Sequence, residues 1–83
     1  MPKTSASSHR ISLSALEAHE HATIVDLAGG HGMLSRMATL GFTPGAEVIM
    51  VQNFGRGPLI VQVRGARVAL GRGEARKIKV RRP

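Results

Sequence analysis

The stretch LIVQVRGARVAL, Leu59 to Leu70, is two runs of alternating side chains joined by a glycine-centred step, and it admits little besides a β-hairpin. Leu59, Val61 and Val63 fall on one face of the first run, and Ile60, Gln62 and Arg64 on the other. Gly65-Ala66 suits a type II′ two-residue turn, with glycine in the first central position. This register pairs Val63 with Val68 and Val61 with Leu70, and it sets Arg64 directly opposite Arg67. Like charges facing each other across a strand pair are unfavourable, so such a tip would welcome an anion or a carboxylate.

Similar punctuation divides the rest of the chain. ATIVDL, Ala22 to Leu27, has the β-branched content of a first strand, and GGHG, Gly29 to Gly32, reads as a flexible loop after it. MLSRMATL sets Met33, Met37 and Leu40 at i, i+4 and i+7, which predicts a short amphipathic helix. Gly41 sits where that helix would end in the left-handed region, and Pro44-Gly45 fits the centre of a type II turn. EVIMVQ then reads as a second strand, NFGRGP as a glycine-rich connection, and GRGE as a turn into a last strand, ARKIKV. Ahead of these, SLSALEA from Ser12 predicts one helical turn behind a serine N-cap, placed as a lid.

With 83 residues only one domain is expected, predicted over residues 11–81 behind a disordered leader, residues 1–10. The fold predicted is mainly β: a small five-stranded barrel, with one short α-helix inserted after the first strand and a short N-terminal helical turn. Cysteine is absent, which removes disulfides, thiolate metal sites and thiol nucleophiles together and favours a reducing, cytoplasmic setting. No apolar run approaches the roughly 18 residues of a membrane span, and MPKTSASSHR lacks the hydrophobic centre of a signal peptide.

Charge is uneven. Residues 1–55 hold three basic and four acidic side chains, and residues 56–83 hold nine basic and one acidic. An acidic protein surface, an anionic lipid leaflet or nucleic acid would each be attracted to the second half. Single-stranded nucleic-acid binders stack bases on aromatic rings, however, and this chain has only Phe42 and Phe54. The remaining nucleic-acid reading is a small barrel gripping phosphates with its basic face, without sequence preference.

His19, Glu20, His21 and His31 are the candidate metal ligands, of a type suited to Fe²⁺ or Zn²⁺, which would make the chain a transition-metal-sensing module; the alternative is four solvated side chains. GGHG lacks the Gly-Lys-Ser/Thr that a phosphate-cradling loop requires, since Met33-Leu34 follow. Met33 and Met37 at helical spacing read as core filler. With five carboxylates dispersed along the chain, no grouping of nucleophile, base and orienting residue emerges, and no catalysis is expected.

LSALEAHEHATIVDL, LSRMATLGFTPGAEVIMV and GPLIVQVRGARVALGRGEARKIKV, in this order from about Ser12 to Val80, resemble the ferrous iron transport protein A family, FeoA. The most specific elements are Arg36-Met37 before Leu40-Gly41, then Pro44-Gly45, Gly57-Pro58, Gly65, Leu70, and Ala75 before Ile78 and Val80. The resemblance implies an SH3-like barrel and a cytosolic accessory role in bacterial ferrous iron uptake, acting on the transporter FeoB, with no cofactor required. One departure is His19, which stands where relatives turn into the first strand through a glycine. On this reading Phe54, Arg56, Arg64, Arg67, Lys77 and Lys79 are expected to meet the cytosolic domain of FeoB or the anionic membrane beside it, with no specific nucleic acid.

Overall fold

The computed structural model describes residues 10–83; residues 1–9 of the expected leader lie outside the described residues. Its elements are β1 (Arg10–Ser12), a 3₁₀ turn (Leu13–Ala15), β2 (His21–Leu27), α1 (His31–Leu40), β3 (Glu47–Gln52), β4 (Leu59–Val63), β5 (Ala66–Leu70), α2 (Arg72–Arg76) and β6 (Ile78–Arg81). The strands form one antiparallel sheet in the order β1-β6-β2-β3-β4-β5.

Alternation sends Ala22, Ile24, Val48, Met50, Leu59, Val61, Val63, Leu70, Ile78 and Val80 to the concave face, where all are buried. Two irregularities, between Ile24 and Asp26 and between Met50 and Gln52, insert an extra residue into β2 and β3. Such bulges tighten the local twist and help the sheet curl around its core. Leu13 and Leu16 from the N-terminal turn, Met37 and Phe42 from α1 and its exit, and Ala75 from α2 complete that core.

The mainly-β, SH3-like expectation holds, with two corrections. The sheet has six strands, because Arg10–Ser12 adds to β6, and β1 and β5 do not pair to close it. Closure is unnecessary because α2, in the segment read as a simple turn and the start of the last strand, packs against the 3₁₀ turn and covers the gap. The Ser12 hydroxyl secures this contact, donating to the Ala75 carbonyl at 3.2 Å.

α1 starts two residues before the predicted helix, so Gly32 of the expected GGHG loop is helical and only Ala28–Gly30 connect. The Leu34 N–H bonds the Gly30 carbonyl at 3.0 Å and closes its first turn. Its end is as expected: Gly41 has φ +102°, and the Gly41 and Phe42 N–H groups bond Ala38 and Met37. The Pro44-Gly45 turn also forms, closed by the Ala46 N–H on the Thr43 carbonyl at 2.9 Å.

The hairpin forms with a different turn. Val63 pairs with Ala66, Val61 with Val68 and Leu59 with Leu70, so the two loop residues are Arg64 and Gly65, at φ +49° and +80°. Positive φ at both positions is the type I′ geometry, whose twist matches the flanking strands. Arg67 therefore lies opposite Gln62, and the expected Arg64–Arg67 opposition does not occur. The observed and expected registers differ by two residues, which leaves every side chain on the same face. Hydrophobic alternation alone could not separate them, whereas the like-charge penalty favours the one observed.

Candidate functional site

The β3–β4 connection begins at Asn53, which no charge or motif marked, and this side chain organises the loop that carries Phe54 and Arg56. The Asn53 amide nitrogen donates to the Leu16 carbonyl at 2.7 Å and the Ser14 carbonyl at 3.1 Å. Its oxygen accepts from the Gly55 N–H at 2.9 Å and from Arg72 Nη2 at 2.5 Å. Three of these hydrogen bonds join the loop base to the N-terminal turn and to α2 and the fourth folds the loop on itself, together the full capacity of one amide group for donation and acceptance. Beyond this pinned base Phe54 is 76% exposed. An aromatic ring held out by a fixed base is an unburied anchor, and Arg56 stands exposed two residues on.

Arg64 does not share this freedom. Its Nε donates to the Gly41 carbonyl at 3.3 Å and its Nη2 to the Thr43 hydroxyl at 2.9 Å, so the hairpin turn is tied to the end of α1. A Cβ at position 41 would meet Arg64 Cδ at 3.1 Å, so glycine there serves both the left-handed backbone and the close approach of this side chain. A groove of about 280 Å³ lies beside the turn, lined by Ala46, Glu47, Ile49, Gln62, Arg64 and Gly65. Its charges are one glutamate and the already bonded arginine.

Arg67 projects from β5 on the convex side opposite Gln62, and among the described residues no ion pair engages it. Lys79 sits on β6 between Ser12 and Asp26, and Lys77 is exposed just before that strand. β6 and β5 are four strand spacings apart along the sheet, on the order of 19 Å. The six expected contact residues are therefore spread over separate elements: Phe54 and Arg56 on the β3–β4 loop, Arg67 on β5, Lys77 before β6 and Lys79 on it, and Arg64 exposed in the turn but bonded to the exit of α1.

Among the described residues no group of three or more His, Cys, Asp or Glu side chains could hold a metal ion. His21 opens β2 and His31 opens α1, with the rest of β2, on the order of 20 Å of strand, between them. Glu20 is engaged by Arg82, whose Nε and Nη2 donate to its two oxygens at 2.8 and 3.2 Å, and by the Glu17 N–H at 2.8 Å. The Arg82 hydrogen bonds, then that of Glu17, hold the Glu20 carboxyl below its ordinary range. The expected Fe²⁺ or Zn²⁺ set is thus not assembled among the described residues. His19 itself has φ +76°, which fits the place of a glycine; its N–H on the Met50 carbonyl and the Met50 N–H on the Glu20 carbonyl hold it there.

A small antiparallel sheet with a helix between its second and third strands agrees with the comparisons. The FeoA domain model matches residues 11–82. The chain belongs to the FeoA family. A curated relative of Methanocaldococcus jannaschii, named for Fe(2+) transport protein A, is 31% identical over 74% of this FeoA chain and 73% of its own. A crystal structure of the iron uptake regulatory protein FeoA superposes with a TM-score of 0.85 at 31% identity, over 90% of this chain and all of that one. FeoA of Stenotrophomonas maltophilia, an SH3 domain protein crystallised with zinc, matches with a TM-score of 0.72 at 37% identity over 84% of this chain and 88% of its own. FeoA is a family of ferrous iron transport, accessory in kind and not a known enzyme family. No helix among the described residues is long and apolar enough to cross a membrane.

Proposed function

We propose that this FeoA chain is a non-enzymatic regulator of ferrous iron uptake that works by docking on the cytosolic domain of the transporter FeoB. The observation that carries the reading is Phe54, an exposed aromatic on a loop whose base Asn53 fixes by four hydrogen bonds. A pinned aromatic loses little freedom on binding, so burying its ring contributes most of its area to affinity, on the order of 2 kcal/mol. Arg56 on the same loop and Arg67 on β5 add exposed positive charge that selects an acidic surface and speeds encounter. Arg64 supports this surface by holding the hairpin turn to the exit of α1. Lys77 and Lys79 form a second cationic region that faces the acidic membrane surface around the transporter, at the cytoplasmic side.

Capture of the cytosolic domain of FeoB by the immobilised chain tests this. Phe54→Ala is expected to weaken capture about tenfold, and Arg56→Glu with Arg67→Glu to abolish it at physiological salt. Undiminished capture by these folded variants would overturn the docking surface. A gel shift with nucleic acid at the same salt, in place of FeoB capture, would overturn the choice of partner.

A further inference from the structure

Among the described residues β5 is the last strand of the sheet and pairs only with β4. Its register decides which backbone groups are free. Val63 and Ala66 flank a two-residue turn, so they form the pair that exchanges both hydrogen bonds, and alternation extends this to Val61 with Val68 and Leu59 with Leu70. Arg67 and Ala69 then direct their N–H and C=O groups away from β4. No turn, loop or cap backbone bond among the described residues reaches either residue, and both are exposed. Two donors and two acceptors at i, i+2 spacing are what an added strand needs.

Charge selects what could be added. Arg64 lies in the turn at one end of this strand, Arg72 follows its other end, and Arg67 stands between them. From Val48 to Gly73 the sequence contains no acidic residue. The Arg72 to Asn53 hydrogen bond also holds the loop of Phe54 and Arg56 at the Leu70 end. A second copy of this chain would bring the same arginines to the same edge, like against like.

We propose that the free edge of β5 receives an extended acidic segment of a partner protein as an additional strand, paired through the backbone of Arg67 and Ala69. Its carboxylates answer Arg67, within the positive field of the two engaged arginines at the strand ends, so the main chain supplies affinity and alternate side chains supply selectivity. The inference rests on the docking reading only in taking the occupant to be a protein.

The test titrates the isotope-labelled full chain with a blocked peptide of alternating glutamate and valine, followed by amide NMR. Shifts centred on Arg67 and Ala69 are expected, with hydrogen exchange at those two amides slowed about tenfold at saturation. A peptide N-methylated at alternate amides is expected not to bind, and neither is one with lysine for glutamate. Ala69→Pro removes only an outward-facing donor, which an edge strand tolerates, and is expected to weaken binding about tenfold. Binding of the N-methylated peptide as tight as its parent would overturn the proposal whether or not the proline variant folds. Shifts confined to other residues, or the same shifts with a single-stranded oligonucleotide and none with the peptide, would overturn it equally. FeoB capture undiminished by Ala69→Pro would sink the edge and leave the docking reading standing. Peptide pairing at the edge with no FeoB capture would do the reverse.

Discussion

Arg64 and Arg67 lie three residues apart on one hairpin, the first in the turn and the second on the strand leaving it. Arg64 bonds the Gly41 carbonyl and the Thr43 hydroxyl, so its charge holds the exit of α1 against the turn. Arg67 has only Gln62 across from it. The same division runs through the molecule. Arg72 joins α2 to the β3–β4 loop, Arg36 pairs with Glu74 between the two helices, and Arg82 clasps Glu20 beside the entry to β2. The basic side chains therefore do not serve a partner alike, because several arginines at the ends of the sheet are engaged in its connections. The cations left over, Arg56 and Arg67 among them, are the ones that can recruit.

The sharpest way to break this comparison is at Asn53, through which the connecting region is tied. Asn53→Ala leaves two partly buried carbonyls, the Gly55 N–H and one Arg72 nitrogen without their partner. Urea unfolding is expected to show a loss of about 2 to 3 kcal/mol. A loss under about 0.5 kcal/mol, typical of unremarkable surface positions, would mean the loop base is not fixed as argued. The two hairpin arginines give the next largest contrast. Arg64→Ala is expected to cost about 1 kcal/mol. Arg67→Ala should stay within about 0.5 kcal/mol, and equal losses at both positions would erase the distinction between holding and recruiting charge.

Most of this fold was legible in the sequence because its signals are local. Period-two runs gave β2 to β5, the Met33–Met37–Leu40 row gave α1, and Gly41 and Pro44-Gly45 marked its exit. What escaped depends on tertiary contact. β1 is three residues long and exists only by pairing with β6, and α2 is one turn stabilised by covering a gap. The turn register was hidden because a two-residue shift keeps the buried face intact. Of the candidate site, Phe54, Arg56 and Arg67 were visible as residue types, while the tie of Arg64 to the α1 exit and the role of Asn53 were not. An asparagine at a strand end two residues before a glycine is ordinary turn chemistry, and nothing in the sequence states that its partners lie 37 and 39 residues away.

The smallest effect expected comes from Arg82, which sharpens the comparison by testing a surface member of the holding group. Arg82 hydrogen bonds are the leading cause that depresses the Glu20 carboxyl, while the pair remains open to solvent. A carboxyl whose folded value lies below its unfolded one contributes stability above the ordinary glutamate range, and that contribution fades as pH falls through the folded value. Wild type and Arg82→Gln should therefore differ slightly at neutral pH and low salt, and converge in acid, with the difference shrinking as salt rises. In an NMR titration Glu20 should move upward in the variant, toward the value of a free glutamate. If Glu20 titrates unchanged, Arg82 belongs with Arg67 among the unengaged cations, and the cationic surface offered to a partner extends to the C-terminal end of β6.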